Sequence, residues 1–264
     1  MRLEMHWRQE DAASLPVAVW RAGPGCRMIA SGVAGGGIGE RQWVLNAQVA
    51  PAYSRMDPAA HVAELAAGLG LAGAGVGLLT AASVTDVVER EDEGVRVAAT
   101  VGLRVPTWAA VPPGTVDRQI TPIRRPGTGT VDREVTPTRR PDTGTVDREA
   151  SPIWRPGTIN IIVSVPVPLG DAAYVNAVIT ATEAKTQALL EAGIRATGTA
   201  SDAVCIAAPM AGEPEDFAGP RSLWGARIAR AVHSAVHAGA LRDAAARRRM
   251  ADGVEPGSVR ANGL

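Results

Sequence analysis

The sequence predicts an α+β fold, in which largely antiparallel sheets are covered by two long helices that pack against each other. Short apolar segments bounded by turn residues follow one another along 17–101 and again along 158–208, which is typical of strands joined by hairpins. Two longer segments, 171–192 and 223–237, repeat their apolar residues every three to four positions instead. That spacing is the period of a helix.

The helix expected at 171–192 has two different apolar faces. At about 100° per residue, one arc carries only alanine and the other carries larger side chains. The first consists of Ala173, Ala177, Ala181, Ala184 and Ala188, and the second of Val175, Val178, Ile179, Thr182, Leu189 and Leu190. Because alanine lets another backbone approach closely, we expect the helix at 223–237 to pack on the first arc. We expect a sheet to cover the second arc.

Local signals predict the remaining elements. Strands are expected at 17–20, 28–30, 43–49, 75–80, 84–88, 95–101, 158–167 and 205–208. Asp57 and Pro58 predict the start of a further helix, which runs to Leu69. Residues 1–13 are polar and look frayed, and residues 241–264 look like a solvated tail. These limits place the folded domain at 14–240.

Residues 114–155 differ from the rest of the chain because they repeat. Three tandem copies with a period of 15 follow one another: GTVDRQITPIRRPGT (114–128), GTVDREVTPTRRPDT (129–143) and GTVDREASPIWRPGT (144–158). Each copy has two prolines, mixed charges and few large apolar side chains. It cannot bury enough surface to offset the entropy lost on ordering. We therefore expect a disordered, low-complexity insertion that takes no part in chemistry.

The composition excludes several classes of protein. The 27 Lys and Arg residues balance 27 Asp and Glu residues, and Lys185 is the only lysine, which argues against a nucleic-acid partner. No apolar run approaches transmembrane length, and the N-terminus lacks the apolar core of a signal peptide. Cys26 and Cys205 are unclustered thiols, which supports neither a zinc site nor a disulfide framework. We expect a cytoplasmic protein with no membrane partner.

Residues able to carry out chemistry fall in three places: the segment 46–53, a polar stripe on the 171–192 helix, and the segment 197–202. The stripe lies between the two apolar arcs and consists of Asn176, Thr180, Glu183 and Gln187. Hydroxyls, carboxylates and amides suit hydrolysis or transfer at a carbonyl. A glycine-rich segment at 32–39, which includes Gly36 and Gly37, is either a flexible connection or a place where the backbone approaches a ligand.

More specific motifs occur in six segments: WVLNAQV with Tyr53 and DPAAH (43–61), GVGLLTAASV (75–84), ATVGL with PTWAA (99–110), PGTINIIV (156–163), VNAVITATEAKTQALLEAG (175–193) and TGTASDAVCIA (197–207). Together these segments resemble the adenosylcobinamide amidohydrolase family, and TATEAK and GTASDAV are the most specific of them. The resemblance covers nearly the whole chain except the N-terminus, the repeats and the tail. It implies hydrolysis of the amide between aminopropanol and a corrin propionate, which yields adenosylcobyric acid for cobalamin salvage or remodelling.

Hydrolysis of a secondary amide requires a nucleophile, stabilisation of the oxyanion and a proton for the departing amine. We take Glu183 as the general base, on the expectation that packed neighbours desolvate its carboxylate. Thr199 or Ser201 is the alternative, as a nucleophile. Asp202 is expected to orient its loop by accepting backbone N–H groups.

Two further catalytic candidates come from the N-terminal half: Asn46 as a donor to the oxyanion and His61 as the acid that protonates the amine. Substrate-binding candidates are Gly36, Gly37, Asn176, Thr180 and Thr197. We expect no metal site and no resident cofactor, because the corrinoid with its cobalt is the substrate. A homo-oligomer is left open.

Two other functions remain open on the residues alone. A non-catalytic protein that binds a corrinoid or a nucleotide would use the glycine-rich segment and the 197–202 loop as hydrogen-bond donors. An amidohydrolase or acyltransferase for another small amide would use the same hydroxyls and carboxylates.

Overall fold

The chain folds into four layers, with a helix, a sheet, a second sheet and a pair of helices stacked in that order. The computed structural model describes residues 1–10, 12–51, 53–110 and 157–251; the predicted repeat insertion at 114–155 and the end of the predicted tail lie outside them. Six of the eight strand pairings in the described ranges are antiparallel and two are parallel. The predicted α+β class with largely antiparallel sheets is confirmed.

The strands found in these ranges are β1 (Leu3–Glu10), β2 (Ala13–Arg21), β3 (Cys26–Ala30), β4 (Gly37–Glu40), β5 (Trp43–Gln48), β6 (Gly75–Thr80), β7 (Val88–Asp92), β8 (Val95–Gly102), β9 (Thr158–Ser164) and β10 (Ala203–Pro209). The helices are α1 (Pro58–Gly68), α2 (Asp171–Glu191) and α3 (Leu223–Ala251).

The first sheet has the strand order β1-β2-β5-β6. β2 pairs antiparallel with β1 and with β5, whereas β5 and β6 are parallel. A parallel pair needs a crossover connection, and α1 supplies it. Val62 and Ala66 of α1 pack on the outer face of this sheet, in one apolar cluster with Val19 and Leu45.

The second sheet has the strand order β4-β3-β10-β9-β8-β7. β9 and β10 form its parallel pair, and α2 connects them. Helices α2 and α3 cover the outer face of this sheet. Its inner face packs against the first sheet, so that Val44 and Val76 share a cluster with Ile162 and Cys205.

The all-alanine arc of α2 forms the contact that the sequence predicts. Its five alanines are buried, and Ala181 is completely enclosed. α2 runs along α3, and Ala181 belongs to the same cluster as Ile228, Val232 and Ala235 of that helix. The packed pair of long helices is confirmed.

The prediction that a sheet covers the second arc of α2 is wrong. Val175, Ile179 and Leu190 are each about half exposed. The alanine arc takes both the contact with α3 and the approach to the sheet, so these three residues are left on the outside, whereas Leu189 of the same arc is buried. Apolar spacing identifies two arcs on such a helix but does not tell which one is buried.

Three boundaries also differ from the sequence prediction. Residues 3–10, expected to fray, form β1 because they pair along their whole length with β2. The strand expected at 84–88 is a 3-10 turn at Val84–Asp86 followed by β7. The C-terminal helix continues to Ala251 instead of ending near His237, and Ala240 beyond the predicted end is buried.

In the described part of the chain, no helix is both long enough and apolar enough to cross a membrane.

The α2–α3 contact leads to a stability prediction. We expect Ala181→Leu to lower the free energy of unfolding by about 1–3 kcal/mol, because added methylenes overpack a closed contact. Urea denaturation measures the change. Val175→Leu enlarges an exposed side chain of the same helix and serves as the control, with little change expected. Equal stabilities for the Ala181 variant and the wild type would contradict the observed packing.

Candidate active site

A cavity of about 560 Å³ opens at one end of the two-sheet sandwich. Its walls come from residues 31–33 after β3, residues 49–51 and Tyr53 after β5, residues 78–81 at the end of β6, and residues 201–203 at the start of β10. Pro58, the first residue of α1, and Thr158, the first residue of β9, also line it. The carboxyl ends of the parallel strands β5 and β6 therefore meet the amino ends of the parallel strands β9 and β10 at this site.

Side-chain alternation along β9 explains why polar groups reach this position. Successive residues of a strand point to opposite faces of the sheet. Ile159 and Ile161 belong to the cluster beneath the helices, whereas Thr158 lines the cavity and Asn160 bonds to a residue of the first sheet. The layer between the sheets is thus apolar over most of its area and polar at the cavity.

Asp202 is the most heavily bonded residue of the cavity wall. Its Oδ1 accepts hydrogen bonds from the backbone N–H of Ile159 (2.9 Å) and from the hydroxyl of Thr199 (2.5 Å). Its Oδ2 accepts from the backbone N–H of Thr199 (3.1 Å) and from Nζ of Lys185 (2.6 Å). Asp202 therefore accepts one backbone N–H group from its own loop and another from β9. Both oxygens are thus occupied by donors from within the protein.

The ion pair between Lys185 and Asp202 is buried, with side-chain exposures of 9% and 10%. It ties the middle of α2 to the loop before β10. Gly198 makes the approach possible, since a Cβ at that position would lie 2.2 Å from Oδ2 of Asp202 and 2.6 Å from Nζ of Lys185. Any larger residue at 198 would have to displace the pair.

Two hydroxyls lie side by side in the cavity wall. Oγ1 of Thr158 and Oγ of Ser201 are 2.8 Å apart, and Ser201 also donates to the carbonyl oxygen of Gly157 at 3.1 Å. When Ser201 donates to that carbonyl, Thr158 is the donor in the bond between the two hydroxyls, and both protons are used. A proton points into the cavity only when one of these two bonds is exchanged for a bond to another group.

A second polar cluster lies behind the cavity wall. Asn46 donates to Oγ1 of Thr100 (3.1 Å), and Asn160 donates both to Oδ1 of Asn46 (2.8 Å) and to the carbonyl oxygen of Leu79 (3.2 Å). Asn46, Thr100 and Asn160 are each at most 2% exposed. Since Leu79 lines the cavity, this cluster fixes its wall from behind and joins the two sheets.

Tyr53, another residue of the cavity lining, contacts a buried histidine. The hydroxyl of Tyr53 lies 3.0 Å from Nδ1 of His61, and the two rings are stacked with centroids 5.6 Å apart. Nε2 of His61 lies 3.5 Å from Oε2 of Glu10. Arg8 in turn holds Glu10, with Nε donating to the same oxygen at 2.9 Å. Tyr53 lines the cavity, whereas His61 is enclosed behind it.

Burial controls the protonation of both rings. Desolvation lowers the pKa of His61 below its usual 6.5, and the nearby Glu10 carboxylate only partly offsets this. Desolvation also raises the pKa of Tyr53 above 10. At neutral pH the imidazole is therefore uncharged and the phenol keeps its proton.

Comparison with known proteins decides the family. A model of the adenosylcobinamide amidohydrolase family matches residues 3–248. The chain belongs to this family. A curated adenosylcobinamide amidohydrolase from Methanosarcina mazei is 39% identical over 92 residues, which cover 31% of this chain and 46% of the relative. The chain therefore spans less than half the length of that relative.

The two segments with the most specific resemblance to adenosylcobinamide amidohydrolases meet in the structure. TATEAK ends in Lys185 and GTASDAV contains Asp202, so the buried ion pair joins one segment to the other. The contact places Ser201 in the cavity wall. The two sequence segments TATEAK and GTASDAV are thus joined by one contact, the ion pair between Lys185 and Asp202.

Only some of the predicted site residues of this member of the adenosylcobinamide amidohydrolase family lie together at the cavity. Ser201 and Asp202 line the cavity. Thr199 lies next to them, but its hydroxyl is engaged by Asp202 and by the carbonyl oxygen of Gly157 (2.9 Å). Thr197 is further out, with Oγ1 accepting from the backbone N–H of Ala109 at 2.8 Å. Asn46 and His61 lie behind the wall.

The helical stripe does not form part of the cavity. Glu183 is exposed on α2, which corrects the expectation that packed neighbours desolvate it, and Asn176 also lies outside the lining. Thr180 is buried, but its hydroxyl donates to the carbonyl oxygen of Ala218 at 2.9 Å. The stripe follows α2 along its length, whereas the cavity lies beyond the opposite face of the sheet.

The glycine-rich segment lines the cavity through a residue that precedes the two predicted glycines. Gly32 lines it, and Gly36 and Gly37 do not. The close backbone approach in this segment is to β6, because a Cβ on Gly35 would lie 1.9 Å from the carbonyl oxygen of Gly75. This approach lets Ala34 bridge to Gly77, so the segment connects the two sheets.

Lys185, Tyr53, Glu10 and Thr158 are not among the site residues predicted from the sequence. A signal existed for Lys185, which is the only lysine of the chain and stands inside TATEAK. Glu10 carried no such signal because its strand was expected to fray. Its position near His61 depends on the pairing of β1 with β2.

The buried ion pair leads to a second stability prediction. We expect Lys185→Met to lower the free energy of unfolding by about 3–5 kcal/mol, because it leaves the Asp202 carboxylate buried without its counter-charge. Adding Asp202→Leu should recover part of this loss, and a double-mutant cycle in urea measures the coupling. Glu91→Gln breaks an exposed pair with Arg96 and should change little. A Lys185→Met variant as stable as that control would contradict the burial of the pair.

Proposed function

We propose that this protein hydrolyses the amide bond between aminopropanol and the corrin ring of adenosylcobinamide, releasing adenosylcobyric acid and aminopropanol. The observation that carries the proposal is the cavity at the end of the sandwich, which lies within the stretch matched by the family model and presents hydroxyl groups in its wall. Adenosylcobyric acid can re-enter cobalamin synthesis, so the role we propose is corrinoid salvage or remodelling.

The size of the cavity supports a particular mode of binding. At about 560 Å³ it falls in the range of about 300–1,000 Å³ that is typical of small-molecule sites. This volume suits one side arm of a corrinoid and not the whole macrocycle with its adenosyl ligand. We therefore place the aminopropanol arm and its amide inside the cavity and the corrin ring at its mouth. The corrinoid, with its cobalt, is the substrate.

The charge of the lining matches that arm. No lysine or arginine stands among the described residues that line the cavity. The carboxylate in the wall, Asp202, is already bonded to four donors within the protein. An uncharged arm with an amide and a terminal hydroxyl meets hydroxyl and backbone groups of matching polarity.

Thr158 and Ser201 are the groups we assign to the oxyanion. Attack on an amide carbonyl places negative charge on its oxygen, and preorganised donors near that oxygen lower the barrier. Either hydroxyl can exchange its present bond for one to the oxyanion, and Asp202 holds the loop of Ser201 through bonds to the backbone of Thr199 and Ile159. The two hydroxyl oxygens are therefore in position before the substrate binds.

Water is the nucleophile that we favour. A serine nucleophile needs an adjacent base, but the neighbours of the Ser201 hydroxyl are the Thr158 hydroxyl and the Gly157 carbonyl. Neither accepts a proton at neutral pH. Thr199 does contact a carboxylate, Asp202, but it does not line the cavity. Direct attack by water needs no covalent intermediate.

The reaction itself can be tested with purified full-length protein. We expect incubation with adenosylcobinamide to produce adenosylcobyric acid and free aminopropanol, both identified by mass spectrometry. A protein that only binds the corrinoid would leave the substrate mass unchanged. Turnover of other small amides with no action on adenosylcobinamide would assign a different substrate. Either of these results would overturn the proposal.

The oxyanion assignment predicts the effect of Ser201→Ala. We expect kcat to fall by about 10²–10³ because one donor is lost, while affinity for adenosylcobyric acid changes little. Ser234→Ala removes an exposed hydroxyl of α3 and should retain full turnover. An acyl-enzyme detected on Ser201 in quenched wild-type reactions would instead make that serine the nucleophile. An unchanged kcat in Ser201→Ala would remove the residue from the mechanism.

A further inference from the structure

A carboxylate, an imidazole and a phenol follow one another from the interior to the cavity. Glu10 lies 3.5 Å from Nε2 of His61, and Nδ1 of the same ring lies 3.0 Å from the hydroxyl of Tyr53. Only Tyr53 reaches the cavity lining. The hydroxyl of Tyr53 therefore connects the buried imidazole of His61 to the cavity.

The position of Glu10 determines the tautomer that we assign to His61. A carboxylate beside Nε2 favours a proton on that nitrogen. Nδ1 then has a free lone pair, and the Tyr53 hydroxyl donates to it. The imidazole is thus oriented as a proton acceptor toward the cavity.

We propose that Tyr53 transfers protons between the reacting groups and His61 during amide hydrolysis, and that Glu10 positions the imidazole. This inference rests on the proposed function, since it supplies the proton transfers that hydrolysis of adenosylcobinamide requires. Tyr53 is the catalytic residue of the three because it alone lines the cavity. His61 and Glu10 act through it.

The first step forms the tetrahedral intermediate. The oxygen of water attacks the amide carbon, and the π electrons of the carbonyl move to its oxygen, which the Thr158 and Ser201 hydroxyls stabilise. The water gives one proton to the Tyr53 oxygen as the phenol gives its own proton to Nδ1 of His61. The resulting imidazolium lies beside the Glu10 carboxylate, which stabilises its charge.

The second step breaks the carbon–nitrogen bond. The imidazolium returns its proton to the Tyr53 oxygen, and the phenol gives a proton to the amide nitrogen. The electron pair of the broken bond stays on nitrogen, and the carbonyl forms again. The sum of the two steps is one water and one amide converted to one carboxylic acid and one amine, with the protein groups restored.

The surroundings of Glu10, His61 and Tyr53 suit these proton transfers. Because burial lowers the pKa of His61 and raises that of Tyr53, the resting state at neutral pH has a neutral imidazole and an intact phenol. The rings of Tyr53 and His61 are stacked with an interplanar angle of 18°, which keeps the Tyr53 hydroxyl close to Nδ1 of His61. Arg8 anchors Glu10 from the other side and also donates to the carbonyl oxygen of Gln48 at 2.7 Å.

Charged groups from three elements face this imidazole. Glu10 and Arg8 come from β1, Arg55 from the segment before α1, and Glu64 from α1. The acids raise the pKa of His61 and the arginines lower it. A change of one of these groups therefore shifts the pH at which the imidazole becomes charged in a known direction.

Substitution of Tyr53 and His61 tests the transfer itself. We expect Tyr53→Phe and His61→Asn to lower kcat for adenosylcobinamide by about 10²–10⁴, with little change in the affinity for adenosylcobyric acid. His61→Asn places an amide at the position of Nδ1 and keeps a hydrogen bond to Tyr53 without accepting a proton. Tyr174→Phe and His233→Gln alter the other tyrosine and another histidine beside a carboxylate (2.7 Å from Glu191), and both should keep normal turnover.

The pH profile separates a positioning role of Glu10 from a merely structural one. In the wild type, kcat/KM should fall as pH drops through the pKa of His61, which lies below 6.5, because the charged imidazole accepts no proton. Glu10 raises that pKa. In Glu10→Gln the acid limb should therefore move to lower pH while the plateau falls. A loss of folded protein would reduce the plateau without moving the limb.

The outcomes distinguish this inference from the proposed function. A wild type that forms no adenosylcobyric acid refutes the proposed function. A wild type that turns over, with Tyr53→Phe within about threefold of it, refutes the proton transfer alone. An acid limb that stays in place in Glu10→Gln also refutes it, and this result does not depend on the folding of the Tyr53 variant.

Discussion

One carboxylate organises the cavity wall. Asp202 accepts hydrogen bonds from the backbone of β9 and of its own loop, from a threonine hydroxyl and from a lysine of α2. A buried charge is costly without partners, so the loop, the strand and the helix must keep the arrangement that satisfies it. The position of Ser201, next in sequence and part of the cavity lining, follows from this constraint. Asp202 thus holds the loop that places the Ser201 hydroxyl in the cavity wall.

The stacking of the two sheets explains the rest of the site. The layer between them is apolar except at one end, where Asn46, Thr100 and Asn160 bond to one another across it. The hydroxyls of Thr158 and Ser201 and the side chain of Tyr53 line the cavity at this end. In the mechanism that we propose, the second sheet supplies the oxyanion donors, and the first sheet and α1 supply the route for protons.

Much of this fold could be predicted from the sequence, and the site only partly. The alanine arc of α2 predicted the helix pair because a face of small side chains has few other uses. The segment 197–202 was recognised because hydroxyls and an aspartate in a loop organise the backbone locally. Glu183 was misplaced, since helical spacing gives the arc of a residue but not what covers it. The contacts of Lys185 with Asp202 and of Glu10 with His61 join residues that are far apart in sequence, and only the layer order brings them together.

We propose that the corrinoid arm enters the cavity between the sheets. Hydrogen exchange followed by mass spectrometry, with and without adenosylcobyric acid, tests this placement on the intact protein. We expect slower exchange in peptides that cover residues 31–33, 49–51, 78–81 and 201–203, with no change on the exposed face of α2 around Glu183. Protection confined to that face of α2, with the cavity segments unaffected, would contradict this placement of the arm.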